Sequence, residues 1–459
     1  MLNPYRYTKF INLPQLFMYV WCQLIKEISN THSRISVACS VKVGKVINGG
    51  KGKWLILLVW IGLLLSNKPL YAAWDSFEDG RQIQLHGFAT QGYIKTDKNN
   101  LFGDSDGRGS LDFREIGVVA SLKPTQKSSF AMQLLSRTAG ESNSGEIDLD
   151  FAIFDYRLVD KMTHNLGSRI GRIKNPYGLF NDTRDMAFTR QNILLPQSIY
   201  FERTRDLSLS SDGVELYSQL NRNFGYVNFQ FVVSKPRVDG QNTERAILQS
   251  NRPGEFLGNI MYLGRILLNS MDDKLTLAYS EVQLGLVYQP EEDETGFNGD
   301  ADFDFNLRIL SAQLKYDAFI LTAEYARRSF KFSGMSTNYV PTFLASTTGE
   351  SYYAQLTYLL NSQWRVYTRY DVLYQSVDDK YGREYVERLA DLGVTGIAYT
   401  RYAKDYLIGA QWNINSNWML RAELHEVEGV AWVSLSDNPQ LSETSKFWRA
   451  AMFSVSYRF

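Results

Sequence analysis

Cysteine is almost absent from this chain: Cys22 and Cys39 are the only two among 459 residues. That excludes a disulfide-stapled scaffold and any zinc site built on paired cysteines. Histidine is scarce too, with four residues, and only His86, His164 and His425 lie beyond residue 73. Net charge is missing, because 49 Lys and Arg oppose 49 Asp and Glu; a general nucleic-acid binder would be basic. Uncharged apolar runs of about 20 residues are lacking, and mean hydropathy is −0.27, which excludes a polytopic helical membrane protein. There is no glycine-rich phosphate loop. What abounds is aromatic side chain: 14% of residues, including 28 tyrosines, far too much for a disordered chain.

These averages conceal a division near residue 73. Trp54 to Leu65 reads WLILLVWIGLLL, preceded by Lys51 and Lys53 and followed by Leu70-Tyr71-Ala72-Ala73. A basic flank, a short apolar core and small residues predict a secretory signal peptide over 51–73, cut after Ala72 or Ala73. The core is too short to span a bilayer comfortably. Residues 1–45 show neither helical nor strand periodicity, and about fifty residues before the apolar core make an unusually long leader. The expectation there is a non-native or misassigned N-terminal extension, with the true start near Val41, Val43 or Val46. Removing residues 1–73 takes away nine basic residues, one acid and both cysteines, and leaves 40 basic against 48 acidic side chains, a net charge near −8. A cysteine-free chain suits export to an oxidising compartment without disulfides.

From residue 81 onward the dominant period is two. Phe319, Leu321, Ala323 and Tyr325 share one parity, while Thr322, Glu324 and Arg328 share the other. Trp364, Val366, Tyr370 and Val372 oppose Arg365, Tyr367, Arg369 and Asp371; Trp418, Leu420, Ala422 and Leu424 oppose Arg421, Glu423 and His425. Side chains alternate across a strand, so each segment has one apolar and one polar face. A soluble sandwich would alternate as well. Two features favour a membrane barrel: Trp364, Trp412, Trp418 and Trp448 near strand ends suggest an aromatic girdle, and short turns (Asn221–Asn223, Asn361–Gln363, Asn413–Asn417) alternate with long polar loops. Sixteen candidate strands run from 83–95 to 446–459. Hydrocarbon tolerates no unpaired strand edge, so such a sheet must close. The expected fold is all-β: one domain over 74–459, a closed antiparallel transmembrane β-barrel of about sixteen strands. Its last strand places Phe453, Val455, Tyr457 and Phe459 on one face and stops on an aromatic, which resembles the terminal signal that outer-membrane proteins present to their assembly machinery. An edge of this kind can pair by strand addition before closure.

A barrel of this size leaves a water-filled lumen, whose charge sets which solutes pass. The alternation breaks once, over residues 175–207, a stretch rich in Phe, Tyr, Leu and Ile. A loop so apolar is expected to fold into the lumen and narrow it. Its neighbourhood is basic: Arg169, Arg172, Lys174, Arg184, Arg190, Arg203 and Arg205 stand against Asp182, Asp185 and Glu202, with Asp206 beside them. Guanidinium forks suit carboxylates and phosphates, so Arg172, Lys174, Arg184, Arg190, Arg203 and Arg205 are the candidate constriction and solute-binding residues. Each could instead pair with nearby carboxylates and merely fix the loop.

The stretch from Gly171 to Asp185, GRIKNPYGLFNDTRD, with Phe188-Thr189-Arg190 and Leu195 to Tyr200, resembles the constriction region of general and phosphate-selective-type porins. The resemblance implies a homotrimer of sixteen-stranded barrels in the outer membrane of a Gram-negative cell. It also implies contact with lipid and lipopolysaccharide, and passive diffusion of small hydrophilic or anionic solutes. The acidic total argues against phosphate selectivity. No cofactor, catalytic set or metal site is expected: Asp300, Asp302 and Asp304 alternate but lack a calcium-loop pattern. Two alternatives stay open, a barrel hydrolase centred on His425 with Glu423, and a structural or adhesion barrel without an open pore.

Overall fold

The computed structural model describes residues 82–459, apart from 239–243, 245–246, 249–251, 293 and 336–344. The expected extension and signal peptide lie outside the described residues. Seventeen strand segments form one sheet: β1 Gln82–Thr96, β2 Ser110–Lys123, β3 Ser128–Ala139, β4 Ser144–Lys161, β5 His164–Lys174, β6 Ser210–Arg222, β7 Gly225–Pro236, β8 Glu255–Gly258, β9 Met261–Ser270, β10 Leu275–Gln289, β11 Phe297–Tyr316, β12 Phe319–Met335, β13 Ser346–Leu359, β14 Trp364–Tyr374, β15 Tyr402–Asn413, β16 Trp418–Gly429 and β17 Phe447–Arg458. β8 and β9 pair with consecutive stretches of β10, Leu286↔Gly258 and Gln283↔Tyr262, so they are two pieces of one crossing. The count of crossings is therefore sixteen, and every pairing is antiparallel. β1 pairs with β2 on one side and with β17 on the other, Phe88 opposite Arg458. The sheet closes on itself and leaves no edge, which is the condition a strand-built membrane protein must meet.

The closing seam carries the terminal aromatic. The Gly87 and Phe459 backbones exchange hydrogen bonds at 3.2 and 3.0 Å. A Cβ at Gly87 would stand 2.4 Å from the Phe459 ring, so the missing side chain is what lets that ring lie on the wall. Phe453, Val455, Tyr457 and Phe459 share the outer face of this last crossing, as the parity predicts.

At the short-turn end the outer face bears an aromatic row. Trp364 and Trp412 are directly opposed and stacked at 5.2 Å, Trp418 meets Tyr457 at 4.7 Å, and Phe319 meets Tyr358 at 4.8 Å. Trp448 does not belong to this girdle. It has inward parity, is 2% exposed, packs on Trp432 at 5.4 Å and donates its indole N–H to the Gly429 carbonyl.

Strict alternation between lipid-like and water-like faces also fails in one sector, the upper half of β10–β12. Near the short turns the outer face is apolar: Leu277, Tyr279, Leu310, Leu314, Leu321 and Tyr325 are exposed. Above the row Tyr279–Leu310–Tyr325 the pattern inverts. Gln283, Asp302, Asp304, Arg308, Arg327 and Lys331 point outward and are exposed, while Val282, Leu284, Phe303, Leu307 and Ala326 are buried on the inner face. The apolar inner faces and the loop side chains Tyr177, Leu195, Ile199, Tyr200 and Leu207 form one hydrophobic cluster inside the barrel. Burial of that surface is what holds an apolar connection within the lumen.

Candidate functional site

The connection between β5 and β6 leaves the wall at Asn175 and returns at Ser210. Its stem is clamped by amides: Asn175 Nδ2 donates to the Ser208 carbonyl at 3.1 Å, and Asn181 Nδ2 to the Asn175 and Ser208 carbonyls at 2.9 and 3.0 Å. Gly178 takes a positive φ of 58° there, and its N–H donates to Ser280 of β10 at 3.0 Å. A Cβ at that position would sit 2.2 Å from the Tyr200 hydroxyl, so the turn and the close approach both call for glycine.

From this stem the loop crosses the lumen and is tied to walls on several sides. Glu324 of β12 accepts from the Leu179 N–H at 3.0 Å and from the hydroxyls of Tyr200 at 2.6 Å and Tyr353 at 2.8 Å. Arg265 of β9 donates to Asp182 at 2.7 Å and to the Gly178 carbonyl at 3.1 Å. On the far side, Glu423 of β16 accepts the Ile193 N–H at 2.6 Å, Arg421 donates to the Asn192 carbonyl at 3.0 Å, and Arg369 of β14 donates to the Leu194 carbonyl at 3.0 Å. Most of these groups are buried away from water, and for those each bond made also removes a desolvation penalty.

The six candidate cations do not share one surface. Arg172 pairs in a fork with Asp212 at 2.8 and 3.1 Å, and both lie on the outer face of the barrel. Lys174 is bound to Asp150 and Asp185, and Arg205 to Asp185. Arg190 holds Glu115 of β2. Arg184 is 1% exposed and donates to Ser208 Oγ at 3.4 Å. Arg203 lines an internal cavity. Its guanidinium lies 5.5 Å from the Phe201 ring centre, and burial together with the neighbouring Arg401 pushes its pKa down to about 10. Three of the six, Lys174, Arg190 and Arg205, are thus ion-paired at the loop, Arg190 to a carboxylate of the wall.

Arg203 has two companions the sequence reading did not single out. Arg328 of β12 lies 5.2 Å from the Phe201 ring, and Arg401, just before β15, lies 4.6 Å from the Tyr385 ring. Arg328 donates to Ser351 at 2.6 Å and to the Tyr374 carbonyl at 2.9 Å. Among the described residues no carboxylate pairs with any of the three. The nearby Asp379 is occupied by the N–H groups of Arg383 and Tyr385 at 2.9 and 2.8 Å. All three arginines line a cavity of about 470 Å³ between the loop and the long-loop half of the barrel. Inward parity on β12 was the signal that could have found Arg328; Arg401 sits in a connection and gave none.

His425 is locked into the wall. Nδ1 faces both Asp405 oxygens at 3.0 Å, and Nε2 faces Glu423 at 3.4 Å. Its ring is 5% exposed, and its partners include no serine or threonine to activate. Asp302 and Asp304 point outward from β11, and no cluster suited to a metal ion occurs among the described residues.

No family profile and no curated protein matches the chain. Solved structures do. The anion-selective porin from Comamonas acidovorans aligns at 11% identity over 83% of this chain and 100% of its own, with a TM-score of 0.51. The outer membrane channel DcaP of Acinetobacter baumannii aligns at 13% over 84% and 100%, with a TM-score of 0.51. Salmonella typhi OmpF in complex with daunomycin aligns at 15% over 83% and 99%, with a TM-score of 0.50. The chain therefore has the fold of the general porins, a closed sixteen-stranded barrel with a connection folded inward.

Proposed function

We propose that this chain is an outer-membrane channel through which small hydrophilic solutes diffuse passively, with a preference for anions. The observation that carries the reading is the trio Arg203, Arg328 and Arg401, which faces one internal cavity without a carboxylate partner among the described residues. Fixed cations beside a narrow passage raise the local concentration of anions and repel cations. Arg190, Arg205 and Lys174 serve the passage indirectly, by fixing the loop that narrows it. Export by the 51–73 signal peptide, insertion through the terminal aromatic strand and assembly as a homotrimer in a Gram-negative outer membrane complete the proposal. An outer groove across β6, β7, β9 and β10, lined by Leu216, Phe231 and Ile266, offers an apolar face to lipid or to a neighbouring subunit. A barrel without an open pore is the second reading, favoured by the number of walls to which the loop is tied. Planar-bilayer recording in a KCl gradient separates the two: stepwise conductance with an anion-directed reversal potential supports the channel, and a silent membrane supports the closed barrel.

A further inference from the structure

The arginine cavity has two chemically opposite walls. One is cationic. The other is hydrocarbon, built by Phe303 and Phe305 of β11 with Phe330 and Phe332 of β12. The rings form a continuous surface: Phe303 meets Phe332 at 4.9 Å and Phe305 at 6.4 Å, and Phe330 meets Phe332 at 6.3 Å. Phe305, Phe330 and Phe332 are only half-buried, so part of each ring is left uncovered. A single strand joins the two chemistries, because Arg328, Phe330 and Phe332 follow one another along the inner face of β12. Phe201 restrains both Arg203 and Arg328 without supplying a counter-charge.

A passage for small hydrated ions would be served by the arginines alone, and uncovered phenyl surface would only oppose wetting. A ligand with an apolar body removes that surface from water. Guanidinium forks match carboxylate and sulfonate oxygens, and about 470 Å³ falls within the range of small-molecule sites. We infer that the cavity is a binding site for amphipathic monoanions, in which Arg203, Arg328 and Arg401 hold a carboxylate or sulfonate while an aromatic or short aliphatic body lies against the β11–β12 phenyl rings. The inference rests on the anion-channel reading and names its substrate class.

The test uses the full chain folded in lipid nanodiscs, with 2-naphthoate as fluorescent probe and empty nanodiscs as blank. Saturable binding is expected, with acetate at least tenfold weaker as competitor and the methyl ester of the probe inactive. Phe330→Ser with Phe332→Ser weakens naphthoate at least tenfold. Phe305→Ser, on the other strand, weakens it in the same direction and guards against a double variant that fails to fold; heat-modifiable gel mobility reports folding for each. Arg203→Gln with Arg401→Gln loses both binding and selectivity. Equal competition by acetate, or naphthoate binding untouched by all the phenylalanine variants, overturns the site. Anion-selective conductance without naphthoate binding removes the site and keeps the channel; naphthoate binding without anion-selective conductance removes the channel reading and keeps the site.

Discussion

Arg190, on the inward loop, donates to both carboxylate oxygens of Glu115 on β2, at 2.5 and 3.3 Å, and both side chains are buried. Arg137 of β3 donates to the same carboxylate at 3.3 Å and to Glu202 at 2.5 Å. The loop is thus fastened at its far reach by a shared buried charge.

Breaking such a pair by removing one partner costs about 3–5 kcal/mol, because the other charge is left buried. Arg190→Gln is therefore expected to loosen the loop on the β2 side. Single-channel records should show a larger and noisier conductance, and the barrel should lose its heat-modifiable gel form at a lower temperature. Ion preference should stay as it was, since Glu115 keeps Arg137 as a buried partner and neither Arg190 nor Glu115 lines the arginine cavity.

The seam at Gly87 predicts an assembly defect. Gly87→Val puts branched carbon where the Phe459 ring lies, 2.4 Å from even a Cβ. The ring must leave the wall, and Phe459 loses its seat beside β1 at the closing seam. A much smaller folded fraction is expected on gels, whereas Gly264→Val, where a Cβ meets nothing within 4 Å, should fold as the parent does.

Tryptophan positions make a spectroscopic prediction. Trp364, Trp412 and Trp418 lie on the outer apolar face, and Trp448 and Trp432 are buried against each other inside. In single-tryptophan variants, brominated lipid should quench the first three strongly and the last two weakly. Strong quenching of Trp448 would contradict its inward parity.

Asp437, in the connection before β17, accepts the N–H groups of Gly103 and Glu141 at 3.1 Å each. Burial raises its pKa above the ordinary carboxylate value, although those N–H groups pull it down. A carboxyl whose folded pKa is raised binds its proton more readily in the folded state, so its share of stability grows as pH falls through that pKa. Protease protection of the loops around Asp437 should therefore gain more on acidification in the parent than in Asp437→Asn. The asparagine keeps the acceptor and should match the parent's protection at low pH, while Asp437→Ala should lose protection at every pH, by about 1–3 kcal/mol for the orphaned N–H groups.

Most of the barrel was legible because period-two alternation is a local property. Sixteen candidate segments became sixteen crossings, and Phe319–Tyr325, Trp364–Tyr370 and Trp418–Leu424 present the expected faces. The inward course of the loop was also legible, since residues as apolar as Leu194, Leu195 and Ile199 must be covered. Two things escaped. The parity switch in β10–β12 was present in the letters, with Leu321 and Tyr325 odd but Phe330 and Phe332 even, yet it needs the position of the outer belt to be understood. The fate of the loop cations was only partly local: Arg205 meets Asp185 within the loop, but Arg190 meets Glu115 of β2 only where the loop crosses to that wall. Arg401 entered the cavity from a connection with no periodicity to read.

Under the proposed function, ion preference resides in the cavity arginines, which meet no carboxylate among the described residues, and not in the buried cations of the loop. Reversal potential in a KCl gradient tests it most directly, on the parent, on Arg203→Gln with Arg401→Gln, and on Arg184→Gln with Arg190→Gln. An anion-directed potential is expected in the parent, with its loss in the first pair and its retention in the second. Loss in the second pair with retention in the first would contradict it.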